Sequence, residues 1–279
     1  MRKIVLTLSG LMVLLSCQND NNPPPQFKYP LAVGNQWEYR RLFWGTNFRP
    51  DSLADFVTFP DTLVFYAQVK DTVRLEDNRE AIPLSAVTDD EGYPSIRFYR
   101  QDESALYEVA YLPSGYLPIF PKKNGVTYKF KGKNYTSLAQ LSKVLGEGLP
   151  AVHLFRGDSL VYNTPPRMAL KYPLFVGSRW NLTDGDFRIE KNIIDYGPVN
   201  VAAGDFEAYT IQWLYYFENA EKPDPDLALF DFISKQGLIK RRMRALNVAV
   251  TIQTGEEVGY FDLYDESELS ALAINSGNE

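Results

Sequence analysis

YPLAVGNQW, residues 29–37, returns as YPLFVGSRW at 172–180, with six of nine positions identical. In each copy a proline, Pro30 or Pro173, fixes the approach to a strand, and a glycine, Gly34 or Gly177, permits a turn of positive φ. A tryptophan, Trp37 or Trp180, then stands at the strand start. An indole buries a large area while its N–H reaches a carbonyl, so Trp37 and Trp180 are the core candidates. The likeness does not continue: RRLFWGTNF at 40–48 shares nothing with TDGDFRIEK at 183–191. The pair therefore reads as one lead-in device used twice, not as two repeats of a domain.

Outward from these turns the chain reads as strands. Aromatic residues make up 14% of it, with 18 Tyr and 17 Phe, a composition that favours β structure. Alternating or continuous β-formers predict strands over 36–44, 62–75, 81–88, 95–100, 105–112, 127–131, 151–155, 159–162, 187–196, 208–217, 227–233, 238–245, 248–253 and 259–264. Asp77-Asn78, Lys123-Asn124-Gly125 and Thr254-Gly255 are among the turn signals between them. Spacers this short predict antiparallel hairpins. Two helices are expected. One covers 137–145, with Leu138, Leu141, Val144 and Leu145 on one side and Gly146 as a stop; the other covers 266–273, with Asp265 as N-cap and Glu268 completing a capping box.

The N-terminus is of a different kind. Met1, Arg2 and Lys3 precede an apolar run from Ile4 to Leu15, the charged and apolar regions of a secretory signal over 1–16, too short to span a bilayer. Leu14-Leu15-Ser16 before Cys17 resembles the lipobox of bacterial lipoprotein precursors. That resemblance implies that Cys17 is diacylglycerylated on sulfur, exposed as the first residue by cleavage, and then acylated, palmitate-like, on its amine. Several acyl chains anchor stably where one does not. Cys17 is the only cysteine, so no intrachain disulfide exists. QNDNNPPPQ follows, too polar to order itself, and 17–27 reads as lipidated cysteine and flexible tether. What remains, 28–268, is one domain of roughly 250 residues, with 269–279 as a C-terminal tail. Gln18 stands where an aspartate would signal inner-membrane retention, so an outer-membrane location is expected, on the periplasmic or surface face.

The PLxVGxxW turn soon after a lipobox, VNVAAGDFEAYTI at 199–211, QGLIKRR at 236–242 and GYFDLYDES at 259–267 together resemble a broad group of bacterial surface or periplasmic lipoproteins. The resemblance implies a mainly β fold, an open, rolled antiparallel β-sheet (half-barrel or β-roll) with one or two short helices. It implies location and architecture, and no reaction.

Chemistry-bearing motifs are few. His153 is the only histidine, which excludes a multi-histidine zinc site and leaves any histidine triad dependent on one residue in a predicted strand. There is no GxSxG elbow, P-loop or helix-opening GxGxxG, and no cofactor or metal is expected. Glu218, Glu221, Asp224, Asp226 and Asp231 lack the spacing of a calcium loop and read as a solvated hairpin tip. RGD at 156–158 reads as a turn, and RRMR at 241–244 as a solvated strand face. Asp followed by Ser or Thr and an aliphatic residue recurs at 51–53, 61–63, 71–73 and 158–160. This triplet is similar to an O-glycosylation acceptor of exported proteins, which would modify Ser52, Thr62, Thr72 and Ser159; Asx turns before strands explain it equally well.

A net charge of −6 argues against nucleic acid as a partner. Two function classes remain. The first is a non-catalytic, lipid-anchored module that binds an apolar small molecule in its concavity or an envelope protein on its rim. The second is a glycan hydrolase whose acid and base are carboxylates. The first is the expectation.

Overall fold

The computed structural model describes residues 26–59, 62–88, 95–112, 125–147, 160–185, 187–218, 220–252 and 255–275. Its first strands are β1 (Gln36–Arg49), β2 (Leu63–Val69), β3 (Val73–Arg74), β4 (Glu80–Thr88), β5 (Ser95–Gln101) and β6 (Ala105–Leu112). A small hairpin, β7 (Thr127–Phe130) and β8 (Lys133–Tyr135), leads into the helix α1 (Leu138–Glu147). Then come β9 (Val161–Lys171), β10 (Arg179–Thr183), β11 (Phe187–Val201), β12 (Gly204–Phe217), β13 (Leu227–Ser234), β14 (Gly237–Thr251) and β15 (Glu257–Ala273).

Twelve strands form one antiparallel path in the order β10-β11-β12-β13-β14-β15-β1-β2-β4-β5-β6-β9. The two ends of that path, β9 and β10, come together: the Trp180 indole N–H donates to the Met168 carbonyl at 2.9 Å, and Lys191 Nζ donates to the Ala169 carbonyl at 3.0 Å. Among the described residues no ladder joins them. The rolled sheet is thus a nearly closed barrel with one seam. The path consists of two six-stranded meanders, and each begins with one copy of the lead-in turn. They are stitched by the ladder of β1 against β15, where Trp37 faces Leu272.

The two turns are built alike. Asn35 N–H donates to Ala32 O, and Ser178 N–H to Phe175 O, each at 3.1 Å, with Gly34 at φ 87° and Gly177 at φ 93° in the position a type II turn reserves for glycine. Both glycine amides reach the neighbouring strand, Gly34 to Val69 O and Gly177 to Ile193 O. Because six strand positions separate β1 from β10 on an antiparallel path, both turns lie at the same end of the barrel.

The helix expected over 266–273 is instead the last part of β15, whose residues alternate between buried (Asp265, Ser267, Leu269) and outward-facing (Glu266, Glu268). This stretch ladders with β14 on one side and β1 on the other, and two sets of backbone bonds outweigh a local capping signal. Strand β15 also runs past residue 268, so the start of the expected tail belongs to the barrel. At the other end Gln26 and Phe27, read as tether, pack on the body: Gln26 Nε2 donates to Leu174 O, and the Phe27 ring lies 5.9 Å from that of Tyr209. The strands expected at 238–245 and 248–253 are one strand, β14, bulged between Ala245 and Val248.

α1 forms where the apolar spacing placed it. Ser137 Oγ accepts the Gln140 N–H at 3.1 Å, an N-cap, and Leu138, Leu141, Val144 and Leu145 are buried in the barrel's core. Its C-terminal carbonyls are satisfied by the barrel wall, Leu145 O by the Tyr215 hydroxyl at 2.8 Å and Gly146 O by Arg241 at 3.1 Å. Helix and inward side chains divide the interior. One apolar layer contains Phe43, Ile189, Leu229, Met243 and Leu263 with α1; the other contains Trp37, Tyr39, Ile193, Ile233, Ile239 and Leu269.

Candidate functional site

Between these layers the inward face of five neighbouring or near-neighbouring strands is interrupted by a charge. On β1, Arg41 stands between Tyr39 and Phe43; on β11, Lys191 between Ile189 and Ile193; on β13, Asp231 between Leu229 and Ile233. Arg241 lies between Ile239 and Met243 on β14, and Asp265 follows Leu263 on β15. The register puts Arg41, Arg241 and Asp231 level, since Arg241 faces Asp231 across one ladder and both Arg241 and Arg41 face Ser267 across two others, with Asp265 and Lys191 offset by one inward position. They form a polar belt across the barrel. On the opposite wall Arg97 of β5, Glu108 of β6 and Arg167 of β9 form a second charged cluster.

Burying a charge is costly unless it is paired and hydrogen-bonded, and every carboxylate here meets that condition. Asp265 receives Arg41 through two bonds, Nε at 2.9 Å and Nη2 at 2.6 Å, and also the Ser142 hydroxyl from α1. Asp231 receives Arg241 at 2.6 and 3.0 Å and the Trp213 indole N–H at 2.8 Å. Glu108 accepts from Arg97, from Arg167 at 3.2 Å and from Asn163 at 3.1 Å. Burial works to raise the Glu108 and Asp231 carboxyls, yet their arginines outweigh it and hold both below the usual carboxylate range. Lys191 is the opposite case. Burial depresses its ammonium to about 7, although Asp231 pulls the other way, and its Nζ lies 4.1 Å from the centre of the Trp213 ring.

These groups line a cavity of about 340 Å³ inside the barrel. Most of the remaining wall is apolar, including Phe43, Phe65, Leu106, Leu170, Leu229 and Met243, with Lys143 and the serines Ser95, Ser142 and Ser267 among it. Arg41 and Arg241 keep 30% and 31% of their side-chain surface exposed, while their carboxylate partners keep 8% and 4%, so the surface they expose is presented to the cavity.

The residues singled out from sequence are distributed elsewhere. Trp37 and Trp180 are buried, 1% and 7% exposed, in the apolar layer beyond the belt, and the Trp37 N–H donates to Gln236 O at 2.6 Å. Ser52 lies in a short 3-10 turn, and Ser52, Thr62 and Thr72 are all exposed. Cys17, His153, the RGD at 156–158 and Ser159 lie outside the described residues. The acidic group disperses: Asp224 and Asp226 clamp Lys131 Nζ at 2.8 and 2.7 Å near the tip, whereas Asp231 belongs to the interior. No grouping of three metal-ligating side chains occurs among the described residues.

The reading of 241–244 as a solvated face needs correction, because Arg241 points inward while Arg242 and Arg244 are exposed. Strand alternation from Ile239 and Met243 carried that signal. More generally, a charge set into an otherwise apolar inward face on five strands is a signal that the alternation of the sequence carries.

No family model matches the chain, and no curated protein matches it. Two solved structures match the chain. A protein described as exported, with a YmcC-like fold, from Bacteroides fragilis is 11% identical, with 89% of this chain and 100% of that one covered and a TM-score of 0.34. A protein described as a lipoprotein from Parabacteroides distasonis is 10% identical, with 89% and 99% covered and a TM-score of 0.32.

Proposed function

We propose that the chain is a lipid-anchored envelope protein whose barrel is a non-catalytic binding chamber for a small molecule with an apolar body. The observation that carries this reading is the cavity of about 340 Å³ at the centre of the barrel, a volume ordinary for ligand pockets. Its lining supports binding over hydrolysis. A glycosidase needs one carboxylic acid held protonated near neutrality, whereas Glu108 and Asp231 are each locked ionised by arginine.

Cys17 supplies the anchor and Gln26, bonded to Leu174 beside the second lead-in turn, is where the tether meets the barrel. O-glycans at Ser52, Thr62 or Thr72 are proposed on exposure and on the repeated Asp-Ser/Thr-aliphatic triplet. Intact-mass measurement on protein from its native host tests both modifications at once. The expected mass is that of residues 17–279 plus acyl chains and sugar, and a bare unprocessed polypeptide overturns both. Solvent extraction of the same preparation followed by mass spectrometry tests the chamber. One apolar compound per chain is expected, and it is expected to vanish when Ala67 and Ala86 of the cavity wall are both enlarged to Phe.

A further inference from the structure

The lead-in device repeats one residue that neither the turn nor the core requires. Leu31 and Leu174 are buried in the apolar layer, and the two glycines hold the positive φ. Val33 and Val176, identical in the two copies, are 46% and 50% exposed. They occupy the second position of a type II turn, which asks only for φ of about −60° and accepts most residues. Ala32 and Phe175 beside them are exposed as well, and no charged residue occurs from Tyr29 to Gly34 or from Tyr172 to Gly177. Two uncharged turn tips thus stand at one end of the barrel. The segment that leads back to Cys17 meets the barrel at that same end, where Gln26 Nε2 donates to Leu174 O. We infer that this end of the barrel rests on the lipid surface, with Val33, Phe175 and Val176 set among the headgroups.

Nine positions separate Gln26 from Cys17, and an extended chain covers at most about 3.5 Å per residue, so an anchored sulfur lies within about 30 Å of Gln26. Three apolar side chains would hold a free protein to lipid only weakly. A tether this short makes the docking intramolecular, and a weak contact then suffices. The turns open strands six places apart on the twelve-strand path, so the two contacts stand on opposite sides of the barrel's end. One contact would leave the barrel free to swing; two hold it upright. Charge does not carry the docking. Lys70, Lys171 and Arg179 stand near this end together with Asp71, Asp102 and Asp205, a mixture that gives anionic lipid no advantage.

This inference rests on the anchor reading, and one preparation tests the two apart. The processed full chain is made with one added cysteine, Val33→Cys, Val176→Cys or, at the opposite end between β14 and β15, Glu256→Cys. Acylation occupies the Cys17 sulfur, so the added thiol is the one that takes a nitrobenzoxadiazole maleimide. The labelled chain is reconstituted in phosphatidylcholine liposomes brominated near the top of the acyl chains. Labels at positions 33 and 176 are expected to be quenched several-fold, the label at 256 to be unaffected, and the pattern to be insensitive to salt. Adding Val33→Asp/Phe175→Asp to Val176→Cys is expected to abolish the quenching and, because both positions are exposed, to leave the thermal midpoint in place. Quenching that persists in that variant overturns the docking. Blue-shifted emission without quenching places the tips against another copy of the chain and overturns it too. A chain that carries acyl mass and floats with the liposomes, yet is unquenched at both turns, overturns the docking and leaves the anchor standing. A chain without acyl mass that fails to float overturns both.

Discussion

At the scale of single residues, the tryptophans and the buried lysine define opposite kinds of interior position. Trp37 is enclosed and its N–H is bonded, so Trp37→Ala removes area and leaves a void. It is expected to cost about 3–5 kcal/mol, and Trp180→Ala, slightly less buried and holding the seam through Met168, a similar amount. Denaturant midpoints check both, and strong acrylamide quenching with unmoved midpoints would remove them from the core. Lys191 makes stability depend on pH. Its folded value is about 7 against about 10.4 in an unfolded chain. Between those values the unfolded state holds a proton that the folded state has released, so stability from this group rises with pH across about 7 to 10. Asp231, Glu108, Arg241 and Arg167 all act on it, which makes the comparison with Lys191→Met at each pH the clean one. The advantage of Met over Lys is expected to shrink by up to about 4 kcal/mol from pH 6 to pH 10, and a difference that does not change with pH would mean a solvated ammonium.

Elements were legible wherever a local period or a turn signal determined them. The lead-in turns, most strands and α1 follow from glycine placement, alternation and a serine cap, all of which act within a few residues. The end of β15 was not legible, because its capping-box pattern is local while one of the ladders that override it comes from β1, at the other end of the chain, and the other from the preceding strand β14. The inward charges were legible one strand at a time, but their pairing was not: Arg41 and Asp265 are 224 positions apart, and only the pairing of β1 with β15 brings them together. The twin turns also differ in a way that no sequence shows. A Cβ on Gly34 would stand 2.8 Å from Asn275 Nδ2, whereas one on Gly177 would meet nothing. Both Gly→Ala substitutions carry the strain of positive φ, about 1–2 kcal/mol, and Gly34→Ala should lose the Asn275 bond to Val33 O as well. Unfolding of both variants with and without Asn275→Ala tests this. The two costs are expected to become equal once Asn275 is gone, and a persisting gap would place the difference elsewhere.

For the whole molecule, the rolled sheet goes further around than an open half-barrel: the first strand pairs with the last in the middle of the path, and the path's two ends meet at β9 and β10 through side-chain bonds. Gln26 and Asn275, the limits of the described chain, lie at one end of the barrel, where Asn275 bonds to both Asn35 and Val33. The unladdered seam falls instead in mid-chain, between β9 and β10, at a turn whose Phe175 and Val176 are each half exposed. Read as a closed loop, the strand order is a plain up-and-down succession, and the natural chain is a circular permutation of it. Exposed, solvated turns are where such cuts are tolerated. A permutant opened between Val176 and Gly177, with residues 275 and 26 joined by a short glycine-serine linker, should fold to the same barrel with one cooperative transition. Its termini would then flank the seam, turning the longest-range ladder in the protein, Trp37 against Leu272, into a hairpin between neighbours. Folding faster than the parent is the expected result, since that closure no longer waits for both halves of the chain.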